Sequence, residues 1–213
     1  SGQRDLKRIK YLNLKRKKIF GLLKLDLLKK EKTVFDNEVN IIKKKYKNFL
    51  FIPGHSSGYR SIAQANYLYK EQKKFSKVLK NEENMKLNYL KLINLVIKIA
   101  KQNPKLIIIF RKHPNETKEN LKKLFKNKPK NIKLIYKYTV TPWILACDHY
   151  LHSGCQTSLE AIAIKKKIVT YMPVKLYPNI NFKLTKPFFA DEEKCLNFFK
   201  DLKKNKKKFS ISK

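Results

Sequence analysis

Three short runs in this chain carry an imidazole, two of them together with hydroxyl and glycine residues, at places where backbone amides are also free, a combination suited to holding a phosphate. The densest is His152-Ser153-Gly154-Cys155-Gln156-Thr157-Ser158-Leu159-Glu160-Ala161. Gly154 permits a tight turn. Ser153, Thr157 and Ser158 supply hydroxyls, Cys155 lies among them, and a helix starting here would add unpaired N–H groups. Glu160 stands three residues after Thr157, which fits either a capping box or an acceptor for ribose hydroxyls. The second run is Arg111-Lys112-His113-Pro114-Asn115-Glu116. Pro114 suits the first position of a helix, and an imidazole at such a start can donate to a phosphate and steady charge on a departing nucleotide. The third is Pro53-Gly54-His55-Ser56-Ser57-Gly58, small enough to let backbone approach a phosphate or sugar and equally readable as a plain connecting loop. It has no GK[ST] and is not a Walker loop. Trp143 precedes the first run; a base-stacking role and a core-packing role are both open, and packing is the expectation.

These runs need a scaffold that puts them at one end. Apolar stretches at 48–53, 106–111, 132–136, 150–152 and 167–172 read as strands. Helical spacing or polar starts mark 34–46, 85–102, 115–125, 142–147, 157–164 and 192–204 as helices. Strand and helix alternate without a hairpin signal such as Asn-Gly. The pattern predicts an α/β fold, a Rossmann-like three-layer arrangement around a parallel sheet. Such sheets bind ligands beyond the carboxyl ends of their strands, and each of the three runs follows a strand. The organisation read from the chain is a basic N-terminal segment at 1–33, an α/β domain carrying the three runs at 34–190, and a C-terminal helix with a basic tail at 191–213.

Composition narrows the function classes. The chain has 213 residues, with 51 Lys+Arg against 16 Asp+Glu, a net charge of +35. That charge alone suggests nucleic acid or an anionic membrane surface. Only five of the basic residues are arginine (Arg4, Arg8, Arg16, Arg60, Arg111), the residue that reads phosphates and bases in bidentate fashion. Nucleic acid is therefore disfavoured as a partner, and lysine scattered among asparagine and isoleucine reads as compositional drift. The charge still suits peripheral contact with an anionic bilayer. The three cysteines (Cys147, Cys155, Cys195) form no CxxC pair, and the four histidines do not join them at zinc-ligand spacing. No metal site and no cofactor are expected. No signal peptide or membrane-spanning stretch is legible, so a cytoplasmic location is expected, at most peripheral at the inner face of the membrane.

Together the runs resemble bacterial surface carbohydrate (capsule or lipopolysaccharide) biosynthesis proteins, which are GT-B-type glycosyltransferases. The resemblance is carried by Thr141-Pro142-Trp143-Ile144-Leu145-Ala146-Cys147-Asp148 followed by the run from His152 to Ala161, and by the His113-Pro114 pair. Ser1-Gly2-Gln3-Arg4-Asp5-Leu6 is similar, with one spacing difference, to the linker into the second domain of such enzymes, and the stretch 43–52 to the start of that domain's first strand. The resemblance covers the chain from that linker to about Pro173. It implies the C-terminal half of a GT-B fold, the half that binds the donor, with a nucleotide sugar as substrate and a glycan or lipid-linked acceptor. A CMP-linked acidic sugar such as Kdo is one candidate donor. It also implies residue roles. His113 contacts the donor phosphate and assists departure of the nucleotide. Ser153, Gly154, Cys155, Thr157 and Ser158 hold the phosphate, Glu160 meets the ribose, and Gly54, His55, Ser56, Arg111 and Pro114 support them. An N-terminal acceptor domain belongs to such enzymes and is not recognisable here, so the chain is expected to be part of a larger enzyme. His55-Ser56-Ser57 departs from the more usual Thr-Asn-Phe type of loop. Rival readings are a nucleotide-sugar epimerase-like enzyme, which needs acidic catalytic residues in a complete cleft where these runs show few carboxylates, and a basic module for nucleic acid or membrane, whose affinity would collapse with salt.

Overall fold

The computed structural model describes residues 23–55, 75–176, 185–201 and 210–211. Within them, α1 (Leu23–Lys30) and a 3₁₀ turn (Lys32–Phe35) lead into α2 (Asp36–Tyr46). Then come β1 (Phe49–Pro53), α3 (Phe75–Gln102), β2 (Ile107–Arg111), α4 (Lys118–Leu124) and β3 (Ile132–Ile135). The second half runs α5 (Val140–Ala146), β4 (His149–His152), α6 (Ser158–Ala163), β5 (Lys167–Tyr171), β6 (Thr185–Lys186), β7 (Phe188–Phe189), α7 (Glu192–Lys200) and β8 (Ser210–Ile211).

Six strands form one sheet in the order β3-β2-β1-β4-β5-β7, every pairing parallel, while β6 and β8 make a separate antiparallel pair. This is the Rossmann-like α/β sheet the sequence predicts. Strand alternation divides the core in two. Leu50 and Ile52 of β1, Ile108 and Phe110 of β2, Leu151 of β4 and Val169 and Tyr171 of β5 face α3, α4 and α7. Phe49, Phe51, Ile109, Tyr150 and Ile168 face α2, α5 and α6. All of β1 is buried, as a central parallel strand covered on both faces must be. On α3 the buried positions Asn88, Tyr89, Leu92, Ile93, Leu95, Val96, Ile99 and Ala100 recur at the helical period and form the stripe laid on the sheet. The end of α3 is closed by the Asn131 side-chain amide, which donates to the carbonyls of Ala100, Asn103 and Leu106.

The elements differ from expectation in ways that matter for the site. The helix expected over 115–125 begins only at Lys118, capped by the Thr117 hydroxyl, which accepts from Asn120 N at 3.2 Å. Pro114 therefore lies in a turn and starts no helix. The expected helix over 34–46 opens as a 3₁₀ turn, and α3 starts ten residues before Met85. The terminal helix α7, capped by Asp191, packs Cys195, Phe198 and Phe199 into the same core as α3.

Candidate functional site

In a sheet ordered 3-2-1-4-5, the strand order reverses between β1 and β4, leaving a crevice outside their carboxyl ends. The loop after β1 and the bend after β4 both sit at this reversal, and the turn after β2 is next to it. Gly54 is the junction of all three. Its N–H donates to Arg111 O at 2.7 Å. A Cβ on Gly54 would stand 2.6 Å from Glu116 Oε2, 2.6 Å from His113 N and 2.9 Å from Arg111 O, so only glycine fits. On its other side the Cys155 thiol approaches Gly54 O at 4.0 Å.

The turn after β2 is fastened by charged groups. The Lys112 ammonium donates to the carbonyls of His113 (2.9 Å), Pro114 (2.9 Å) and Glu116 (2.6 Å), drawing the loop around itself. The Glu116 carboxylate is buried; its Oε2 accepts from His113 N at 2.8 Å and its Oε1 from the Tyr89 hydroxyl. Glu116 N donates back to His113 O at 3.0 Å. The half-buried His113 ring accepts at Nδ1 from Asn115 N, 3.2 Å away. With Nδ1 accepting, the neutral ring carries its proton on Nε2 and can donate from there. Arg111 is committed to backbone, its Nη2 donating to Tyr138 O at 2.7 Å and its Nη1 to Lys112 O at 3.3 Å. Burial lowers its pKa from the ordinary value, though a guanidinium stays charged.

The bend after β4 is fastened mostly by neutral groups. Gly154 turns at φ 85°, a conformation glycine adopts at no steric cost. Its N–H donates to His152 Nδ1 at 3.2 Å, and His152 Nε2 pairs with the Thr170 hydroxyl at 2.9 Å. Burial, and after it the charge of nearby His55, pushes the His152 pKa from 6.5 down to about 3, so the ring is neutral at ordinary pH. That coupling also puts His55 beside the end of β4. The Thr157 hydroxyl meets the Tyr150 hydroxyl at 2.7 Å and Cys155 Sγ at 3.0 Å. Burial pushes up the pKa of both Tyr150 and Cys155, which remain protonated. Thr157 is the N-cap of α6 but makes no side-chain cap bond, so its half of the expected capping box is not formed. Glu160, at 5% exposure, instead takes the Thr141 hydroxyl at 2.8 Å, tying α6 to α5.

The structure thus brings Gly54, His55, Arg111, His113, Pro114, Gly154, Cys155 and Thr157 to one end of the sheet. Ser153, Ser158 and Glu160 belong to the same bend, but their side chains are buried. Ser56 lies outside the described residues. Trp143 is core: its ring stacks on Phe51 at 6.3 Å between centroids and its Nε1 donates to Lys137 O at 2.9 Å. Sequence reasoning missed the roles of Glu116, Tyr89, Tyr150, Thr141 and Lys112. Glu116 had a signal, since a carboxylate three residues beyond His113 in a turn can accept the backbone N–H of residue 113. Among the described residues no cluster of three or more His, Cys, Asp or Glu side chains could hold a metal ion, and no helix is long and apolar enough to cross a membrane. The three cysteines are free and buried.

No protein-family model and no curated protein matches the chain. Solved structures do. The wall teichoic acid polymerase TagF, in its H444N variant, superposes with a TM-score of 0.53 at 13% identity, over 94% of this chain and 47% of that one. KpsC of Thermosulfurimonas dismutans, a beta Kdo 2,4 transferase, gives a TM-score of 0.37 at 8% identity, over 71% of this chain and 46% of that one. The chain spans about half the length of TagF. At this identity the TagF likeness speaks for the fold alone, the parallel six-stranded Rossmann-like α/β sheet described above.

Proposed function

We propose that this domain binds the nucleotide-sugar donor of a glycosyltransferase in surface polysaccharide biosynthesis, as the donor half of a GT-B-type enzyme. The observation that carries the reading is the junction at Gly54, where the ends of β1, β2 and β4 meet at the reversal of strand order. In this reading a donor phosphate lies over that junction. His113 donates to it from Nε2 and supports departure of the nucleotide, while the Gly154–Thr157 bend supplies backbone N–H groups and the Thr157 hydroxyl. Gly54, His55, Arg111 and Pro114 shape the floor and rim. Glu160 shapes the ribose end from behind, through its bond to Thr141. TagF, which shares the fold, bears the name of a wall teichoic acid polymerase, which supports the class of reaction. A CMP-linked acidic sugar such as Kdo is the donor to try first. A glycan or lipid-linked acceptor and the remaining catalytic groups would come from a companion domain, at the inner face of the cytoplasmic membrane.

Calorimetric titration of the chain with CMP and with UDP tests the reading. Binding of at least one in the millimolar range or tighter is expected, weakened about tenfold or more in His113→Ala by loss of one charge-assisted hydrogen bond. Absence of binding for both nucleotides rejects the donor site. Affinity that falls steeply with salt yet ignores His113→Ala would favour a basic surface module instead.

A further inference from the structure

Glu116 is a buried carboxylate near the strand ends that is engaged at both oxygens, and the donor-site reading above gives it no role in nucleotide binding. Its two oxygens are divided between elements distant in sequence: Oε1 accepts from Tyr89 on α3, and Oε2 accepts from the main-chain N–H of His113. Gly54, at the end of β1, presses on the same oxygen so closely that a methyl group there would collide with it. Lys112, one residue before the histidine, holds the outer carbonyls of the same turn. The carboxylate therefore fixes the peptide from which the His113 ring hangs, relative to both the sheet and α3. The ring itself is fixed in turn by Asn115 N at Nδ1.

We infer that Glu116 is a positioning residue for His113, acting through its backbone to hold the Nε2 proton of the ring towards the phosphate of a bound nucleotide. The inference rests on the donor-site reading above and deepens it. An ionised carboxylate accepts at both oxygens, whereas the amide of a glutamine accepts at only one. Glu116→Gln keeps the shape but sets an N–H against one of the two donors, so the turn must shift or lose a bond. A misplacement of this kind weakens a hydrogen bond to phosphate and leaves contacts to base and ribose intact.

The test is a double-mutant cycle on the full chain, with wild type, Glu116→Gln, His113→Ala and the pair, titrated with CMP and UDP and with cytidine and uridine. Glu116→Gln is expected to weaken the nucleotide about tenfold, leave the nucleoside unchanged, and add nothing to the loss already caused by His113→Ala. Equal losses for nucleotide and nucleoside, or losses that multiply in the pair, overturn the inference while leaving the donor site standing. Wild type that binds neither nucleotide overturns both. Should Glu116→Gln fail to fold, Tyr89→Phe removes only the phenolic donor and is put through the same cycle. Histidine-ring nitrogen shifts give a reading free of any ligand. His113 in wild type should be the Nε2–H tautomer, with that preference relaxed in Tyr89→Phe; an Nδ1–H ring in wild type sinks the inference.

Discussion

The turn after β2 and the bend after β4 flank the same glycine yet are built on opposite principles. The first is held by full charges, an ammonium gathering three carbonyls and a carboxylate gathering two donors, and it leaves a half-buried imidazole at the rim. The second is held largely by neutral groups, a hydroxyl pair, a thiol and an imidazole kept neutral by burial. Charge-assisted bonds are short and directional and suit a loop that must present one donor accurately. Neutral bonds cost less to bury and suit a bend whose contribution is shape and backbone. In the donor site proposed above, chemistry would come from one strand end and a mould from the next.

The comparison is broken most directly at the point both turns share. Gly54→Ala should destabilise the chain by about 3 kcal/mol and abolish nucleotide binding, because overpacking here has rigid backbone on two sides; a urea midpoint unchanged from wild type would refute the junction. Acid should strike the second bend specifically. The unfolded chain takes up a proton at His152 near pH 6.5 that the folded chain refuses down to about 3, so this group's contribution is intact above about 6.5 and is lost as pH falls towards 3. The loss amounts to about 2 kcal/mol by about pH 5. A plot of Tm against pH should show this slope, and His152→Gln should flatten it. Lys112→Met removes the donor that gathers the first turn and should cost about 1–2 kcal/mol. Tyr150→Phe deletes one hydroxyl of the second and should cost about 1 kcal/mol. If the two turns are fastened separately, these last two losses add within about 0.5 kcal/mol in the double variant; strong coupling would mean a single network spans both.

How far the sequence reveals this depends on the range of the interaction. Apolar runs such as 106–111 announce β2 because burial on both faces leaves no room for polar residues. The first ten residues of α3 place Phe75, Val78 and Leu79 at helical spacing, but the polar run 80–84 interrupts the stripe, and the two-residue β7 is too short to carry any period. The site follows the same rule. Gly154 is legible because the backbone turns there at positive φ, while the demand for glycine at 54 comes from Arg111, His113 and Glu116 of the neighbouring strand's turn, and the Tyr89–Glu116 and Thr141–Glu160 bonds join residues 27 and 19 positions apart; these exist only once the sheet is assembled. Glu160 invited a local reading because an acidic residue three places after a threonine commonly closes a cap. A hydroxyl on the adjacent α5 competed for it and won. Pro114 likewise fits a helix start, but its segment is a turn in which Glu116 accepts from His113 N, and the helix begins only behind the Thr117 cap.

One consequence of the sheet's layout concerns behaviour at high concentration. β3 closes the sheet on one side with no further strand of the six-stranded sheet beyond it, and its pattern places Lys133 exposed between buried Ile132 and half-buried Leu134. An open margin of unpaired amides is where a second polypeptide would dock edge to edge and begin a fibril, and an ammonium in mid-strand discourages that growth. The abundance of lysine, whatever its origin in the genome, thus acquires a protective use at this edge of the sheet, between the apolar side chains of Ile132 and Leu134.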